Sequence, residues 1–394
     1  MRKVAIRALE GVRRGQKLWL KLRGLTPEGV SEQRIVSGEA WEEFCDTLKA
    51  AGASLKFPGT PQDPFNQAEG YRYLSRLVRA GLEGFLEDAD PRAPTLKRVV
   101  HETVKMGADN PDNYYQNASI SGAHEYRIRG NRGTVHYLAF GTQAGHYGQG
   151  GGLPPTGALE ASQLEIDANG DFEIILSCDR RPGNWLRMTP ETGLLIVRQT
   201  FLDRSQETLA RLQVERIDGP GQPGPITPRM VDEGLRNAST LVAGASLLFS
   251  KWARDFQKHS NQLPQFDPAV SSAAGGDPNI AYYHSHWQLG RDEALVIDVM
   301  PPRCEHWNFQ LNNYWMESLD YRYFTIHTNK HSAVKRADGS VRLVVAHQDP
   351  GLPNWIQTVG HECGTMCFRW VRADAHPVPR TRVVKHAELS ALSS

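Results

Sequence analysis

The sequence predicts a mainly β protein: a duplicated β-sandwich or jelly roll whose halves are joined by a long helix, behind an N-terminal helical region. Three observations carry that prediction. From about residue 112, short β-like runs alternate with Gly, Pro, Asn and Asp; one long amphipathic stretch interrupts them at 227–258; and the runs after it repeat those before it.

The repeat is ordered. NGDFEIILS (169–177) aligns with DGSVRLVVA (338–346), GNW (183–185) with PNW (353–355), and TGLLIVRQ (192–199) with CGTMCFRW (363–370). Upstream, EYRIR (125–129) takes the place of EALVI (293–297), and the offset stays near ~170 residues throughout. Each half therefore reads as strand, turn, strand, Asn-Trp corner and strand, a unit that packs as layered sheets.

The helices follow from periodicity. Glu39 to Ala51 sets Trp41, Phe44 and Leu48 on one side. In the next helix Asn66 and Glu69 resemble a capping box, before Tyr71, Leu74, Val78, Leu82 and Phe85 at helical spacing. Thr227-Pro228 reads as an N-cap with proline at the first helical position. The expected organisation is a helical region over 1–110, a first half over 111–225, a connecting helix over 226–260 and a second half over 280–375 that carries the site.

Composition excludes several classes. The 394 residues hold 45 basic and 44 acidic side chains, with no long run of either sign, so a nucleic-acid partner is not expected. The stretch MRKVAIRALEGVRRGQKLWLKL lacks a signal-peptide apolar core and no later stretch is long and apolar enough for a membrane span, so a cytoplasmic location is expected. Five scattered cysteines do not form a disulfide framework. The loop GQGGGLPPTG (148–157) has no Lys-Ser/Thr after it, so no nucleotide cofactor is expected.

Candidate chemistry gathers in the second half. His284 and His286 share a strand face, which either starts a metal site or leaves two satisfied histidines. In EHWNFQLNNYW, Trp307, Phe309 and Leu311 alternate with His306, Asn308, Gln310 and Asn312, whose row meets water or lines a polar cavity. Asp349-Pro350-Gly351 is a turn, where Asp349 bonds its own backbone or orients His347 as a base. Asn354 and Trp355 recur as Asn184 and Trp185, which favours a structural corner. DNPDNYYQNASISG (109–122) reads as a loop that includes Tyr114, and Arg127 and Arg129 share a strand face that either binds a ligand carboxylate or, as the more ordinary role, is solvated or paired internally. Cys363 and Cys367 align with an apolar strand and read as small buried hydrophobes.

Together DNPDNYY, EYRIRGNRGT, GNW, HWQLGRDEALVI, PPRCEHWNFQL, ESLDYR and DGSVRLVVAHQDPGLPNW resemble the family of domain of unknown function 1214 (DUF1214), without a clear partner domain of the DUF1254 type. The resemblance covers roughly residues 70 to 370 and is most specific from His286 to Trp355. It implies sandwich or jelly-roll domains and frequent oligomers, and no reaction.

Two readings follow. In the first, an enzyme acts on a small neutral or weakly acidic metabolite, aromatic or glycoside, as a hydrolase or lyase. His286, His306, His347 and Asp349 would be catalytic; Tyr114, Arg129, Trp287, Arg303, Asn308, Gln310 and Asn354 would bind substrate; and His284 with His286 would hold a divalent metal. In the second, a non-catalytic module binds carbohydrate or protein, including a second copy of the chain. The first requires His286, His306 and His347 to converge.

Overall fold

A computed structural model describes residues 26–146 and 153–392, so the readings of the first 22 residues and of 148–152 lie outside the described part. Sixteen described strands form four sheets of four. In the first half, β1 (Asn113–Ser119), β3 (Tyr137–Ala144), β4 (Pro155–Glu160) and β7 (Thr192–Thr200) run in the order β1-β7-β3-β4. Their partner sheet has β2 (Tyr126–Asn131), β5 (Asp171–Ser177), β6 (Trp185–Arg187) and β8 (Arg211–Arg216), in the order β6-β5-β2-β8.

The second half repeats both sheets strand for strand. β9 (Ile280–Gln288), β11 (Cys304–Asn312), β12 (His327–Asn329) and β15 (Cys363–Ala373) run β12-β11-β15-β9, the first sheet read from its other edge. β10 (Glu293–Val299), β13 (Val341–Ala346), β14 (Trp355–Gln357) and β16 (Arg380–Lys385) run β14-β13-β10-β16. Even the one parallel pairing recurs, β5 with β6 and β13 with β14. The duplicated sandwich expected from the ordered matches is the fold.

The Asn-Trp corners show why those residues recur. Asn184 donates to the carbonyls of Glu165 (2.9 Å) and Glu173 (3.0 Å), and Asn354 to those of Val334 (2.8 Å) and Arg342 (2.9 Å). Each amide also accepts a backbone N–H, from Glu165 and Val334 respectively, at 2.8 Å. One side chain thus satisfies three backbone groups where the chain crosses a strand end. Asn354 holds φ at 58°, a left-handed conformation that Asn tolerates better than most residues.

Each half has its own core. In the second, Trp307, Phe368 and Trp370 pack with Leu295, Ile297, Leu343 and Val345; in the first, Phe140, Phe172, Ile174, Leu195 and Val197 do the same. Each such side chain contributes about 1.5–3 kcal/mol by leaving water.

A helical layer covers one side: α1 (Pro27–Ser37), α2 (Glu39–Ala51), α3 (Pro64–Leu82) and the connecting α4 (Pro228–Phe256), with a short α5 (Pro268–Ala273) beyond it. α4 starts as read, with Thr227 Oγ1 accepting from Met230 N–H at 3.2 Å. It packs along α1, α2 and α3, and its last residue, Phe256, stacks on His284 of the second half. Among the described residues no helix is long and apolar enough to cross a membrane.

Two local readings need correction. The N-cap of α3 is Asp63, not Asn66: Pro64 occupies the first helical position, so the cap must precede it, and Asp63 Oδ1 accepts from Asn66 N–H at 3.0 Å. Glu69 instead accepts from Asn313 at 2.8 Å, a contact 244 residues away. The stretch 109–122 is not all loop either, because Asn113–Ser119 pairs with β7 as an edge strand. Its Tyr and Asn content suits an edge that also exchanges backbone bonds with Lys97.

Candidate functional site

β11 alternates as its sequence requires. Trp307, Phe309 and Leu311 enter the core, and His306, Asn308, Gln310 and Asn312 lie on the opposite face, all four at 0 % exposure. That row meets neither bulk water nor an open cavity. The segment ahead of β1 lies on it instead. Asn308 Nδ2 donates to Asn110 Oδ1 at 2.5 Å, and Gln310 Nε2 to the Asp109 carbonyl at 2.8 Å. From β15, buried Arg369 donates to Gln310 Oε1 at 2.5 Å, to Asn308 Oδ1 at 3.3 Å, and to the Ala108 carbonyl.

Asp112 is the hub of this network. Its Oδ2 accepts from His306 Nε2 (3.1 Å) and Asn308 Nδ2 (3.0 Å); its Oδ1 accepts from Asn329 Nδ2 (3.0 Å) and faces His327 Nε2 at 3.3 Å. Burial alone would raise the Asp112 carboxyl, but hydrogen bonds from His306 and His327 and their charge carry it far below the ordinary carboxylate range. Beside it, Asp109 accepts from Ser318 N–H and Oγ–H at 2.9 and 2.8 Å. Buried Lys105 donates to the Ser318 and Leu319 carbonyls at 2.7 and 2.9 Å. Polar groups of segment 105–112 are thereby tied to β11, β12, β15 and Ser318, a pattern that fastens that backbone to the sheet.

The three histidines expected to converge keep separate company. His286 sits opposite Thr365 and hence level with Asn312, whereas His306 is level with Val371 at the other end of the sheet. His286 Nδ1 meets Ser260 Oγ at 2.9 Å. His347 follows β13 in the other sheet, where Nδ1 meets Thr358 Oγ1 at 2.8 Å. Asp349 does not orient it; its Oδ1 accepts Gly351 N–H at 2.8 Å, closing its own turn.

His284 and His286 do share a face. His284, however, is sandwiched between Tyr282 and Phe256, with ring centroids 5.7 and 5.6 Å away. Burial and then Arg369 push His284 down to about 3, and burial pushes His286 down to about 4. Among the described residues no group of three or more His, Cys, Asp or Glu is placed to hold a metal ion.

The expected binding residues are also dispersed. Trp287 is buried and donates to the Asn312 carbonyl at 3.3 Å. Tyr114 lies under the Arg98 guanidinium, 4.3 Å from ring centroid to carbon. Arg129 bonds Glu173 at 3.1 Å on an exposed sheet face, Arg303 is exposed, and Asn354 makes the corner described above. Cys367 is fully buried and Cys363 partly so, and burial pushes both thiols up to about 11.

Open space lies elsewhere, between the helical layer and the first half. A cavity of about 520 Å³ is floored by Val99, Met106, Leu194 and Leu241, with Ala118 and Ser119 of β1 on one wall. A neighbouring hollow of about 1070 Å³ shares Phe85, Ser119 and His146 with it. The opposite wall is the end of α3, which widens into a π-helical turn at Glu83–Glu87. Such single π turns inside helices recur at functional sites.

Each cation at the rim has a carboxylate: Arg79 with Glu83 at 3.0 Å, Lys97 with Asp88 at 3.5 Å, Arg98 with Glu102 at 2.7 Å. The cleft thus offers apolar surface under compensated charge. Sequence spacing gave no warning of it, because its walls come from six separated stretches between residues 79 and 241.

Residues 294–375 match the family model described as protein of unknown function (DUF1214). A crystal structure of an uncharacterized protein from Burkholderia cenocepacia is similar at 54% identity, covering 90% of this chain and 99% of that one, with a TM-score of 0.88. The VPA0106 protein from Vibrio parahaemolyticus matches at 11% identity, over 80% of this chain and 98% of its own, with a TM-score of 0.47. No curated protein matches the chain.

Proposed function

Because the chain belongs to the DUF1214 family, whose description carries no activity, we propose its function from its own geometry: it binds a small, uncharged, largely apolar metabolite in the cleft between the helical layer and the first sandwich. The observation that carries this reading is the cavity of about 520 Å³. Its size and apolar floor fit a small-molecule site, which is typically concave, mostly apolar and fitted with few polar groups.

The charge pattern narrows the ligand. A free anion entering the cleft would have to compete with Glu83, Asp88 and Glu102 for the rim cations, and it would lose hydration without gaining an unpaired cation. An uncharged body loses little on entry and gains about 25 cal/mol for each Å² of apolar surface it covers.

On this reading the polar face of β11 has a holding role rather than a catalytic one. His306 is sealed beneath the segment that Asp112 belongs to and anchors, so a substrate would reach either side chain only if that segment lifted.

The neutral fluorophore N-phenyl-1-naphthylamine tests the proposal. Gly84 lines the cavity and a Cβ there meets nothing within 4 Å, so Gly84→Trp occludes the space without a backbone clash. The wild-type chain is expected to bind the fluorophore saturably with one site per chain, and Gly84→Trp to abolish that binding while unfolding at the same temperature. Linear, unsaturable fluorescence in the wild type would sink the proposal.

A further inference from the structure

One ring at the cleft has its proton placed by the backbone. His101 to Val104 form a tight turn closed by two backbone bonds, His101 N–H to the Val104 carbonyl at 2.8 Å and Val104 N–H to the His101 carbonyl at 3.1 Å. Across this turn Thr103 N–H points at His101 Nδ1, 3.2 Å away. A backbone N–H can only donate, so Nδ1 must present its lone pair and the neutral ring carries its proton on Nε2. Burial, followed by the nearby Arg98, holds the imidazole below its ordinary range against the opposing pull of Glu102. The ring is therefore uncharged near neutral pH.

Nε2 has no protein partner among the described residues, while the ring lines the cavity beside Val99, Met106 and Leu241. A polar N–H beside the apolar floor of the hollow selects what settles there. It rewards an acceptor oxygen, and a ligand with none leaves it unpaired.

The other ring nitrogen is already occupied, so His101 cannot accept a proton from the ligand. An alcohol would bring an O–H that this ring cannot satisfy, whereas a carbonyl oxygen brings acceptor capacity alone. A carboxylate would be recognised more strongly by a charged ring than by a neutral one.

We infer that His101 donates its Nε2–H to a carbonyl oxygen of the bound molecule, so the ligand class is an uncharged, apolar-bodied ketone, aldehyde or amide; this rests on the cleft reading above.

Acetophenone and ethylbenzene differ by that oxygen and serve as probes, competed against N-phenyl-1-naphthylamine on the intact chain. Acetophenone is expected to bind roughly fivefold or more tightly than ethylbenzene, the worth of one net hydrogen bond. His101→Phe should erase the difference and leave ethylbenzene unchanged. His101→Gln, which keeps an N–H donor, should restore part of it.

Nitrogen-15 spectra of the wild-type imidazole should show the proton on Nε2 and the lone pair on Nδ1, with or without probe. Equal affinities for the two probes, or a proton on Nδ1, would overturn the inference while leaving the cleft as a binding site. If neither probe nor fluorophore binds, the cleft reading falls and this inference with it.

Discussion

The two halves share a strand order, yet their equivalent sheets meet the rest of the chain in opposite ways. The sheet β12-β11-β15-β9 takes the segment 105–112 directly onto its polar face. The sheet β1-β7-β3-β4 contributes Asn117, Ser119 and Leu194 to the wall of an open cleft. Arg369 and Arg198 stand at aligned positions in β15 and β7. The first is buried and donates to the Ala108 carbonyl, and the second donates to the Gly275 carbonyl at 3.0 Å. Duplication has kept the scaffold and an arginine that pins a passing segment. The difference lies in what each face offers. A row of His, Asn and Gln can be buried only against groups that satisfy it, so that face is filled by the chain itself. Small and apolar residues make no such demand, and a cavity persists beside them.

Removing Asp112 should break the filled face first and hardest. Asp112→Ala leaves His306, His327, Asn308 and Asn329 without their shared acceptor. Stripping one partner from a buried charged network typically costs about 3–5 kcal/mol. Urea unfolding should register that loss, while fluorophore binding in the cleft stays intact on the fraction that is folded. A loss under about 1 kcal/mol would mean that the network is not what holds segment 105–112 down.

How much of this was legible depends on how far apart the partners are. The fold was, because alternation, turns and the Asn-Trp corners are local signals that occur twice in one order. The row His306, Asn308, Gln310 and Asn312 was legible as a polar face, but no pattern on a strand says what covers it. The cover is Asp112 and its neighbours, about 200 residues earlier, in a segment that reads on its own as an Asn-rich turn. Glu69 misled for a related reason: its spacing from Asn66 imitates a capping box, while its partner, Asn313, is remote. His101 carried no signal beyond a Thr two residues later, and that spacing becomes informative only once the turn is known to close.

Acid should separate the two halves more gently. His284 and His286 are held neutral in the folded state, down to about 3 and about 4, whereas an unfolded histidine titrates near ~6.5. Folded values depressed in this way mean full stability above the unfolded value. As pH falls below ~6.5 the unfolded chain takes up protons that the folded one refuses, so stability declines through that window. Each ring contributes a slope of about 1.4 kcal/mol per pH unit there. His284→Phe keeps the stack with Tyr282 and Phe256 and removes an Nδ1 that is buried without a partner. The variant should match or exceed the wild type at about pH 7 and lose one ring's worth of slope by about pH 5. An unchanged slope would show that His284 is protonated in the folded protein.

The smallest effect belongs to the first half's outer face. Arg127 and Arg129 interleave with Glu215 and Glu173 across three strands, in a ladder where Arg129 and Glu173 are 56% and 45% exposed. The shared face suits either a ligand carboxylate or an internal pair, and the carboxylates are the protein's own. Exposed pairs of this kind contribute between ~0 and ~1 kcal/mol, because water and salt screen both ends. Arg129→Gln should therefore shift stability by less than about 0.5 kcal/mol and leave both fluorophore and acetophenone binding unchanged. The neighbouring shallow groove, lined by Arg129 with Leu96 and Leu212, makes the measurement worth taking. If Arg129→Gln weakened acetophenone more than His101→Phe does, the ligand would lie in that groove, and the contrast between a filled second-half face and an open first-half cleft would have to be redrawn around β2.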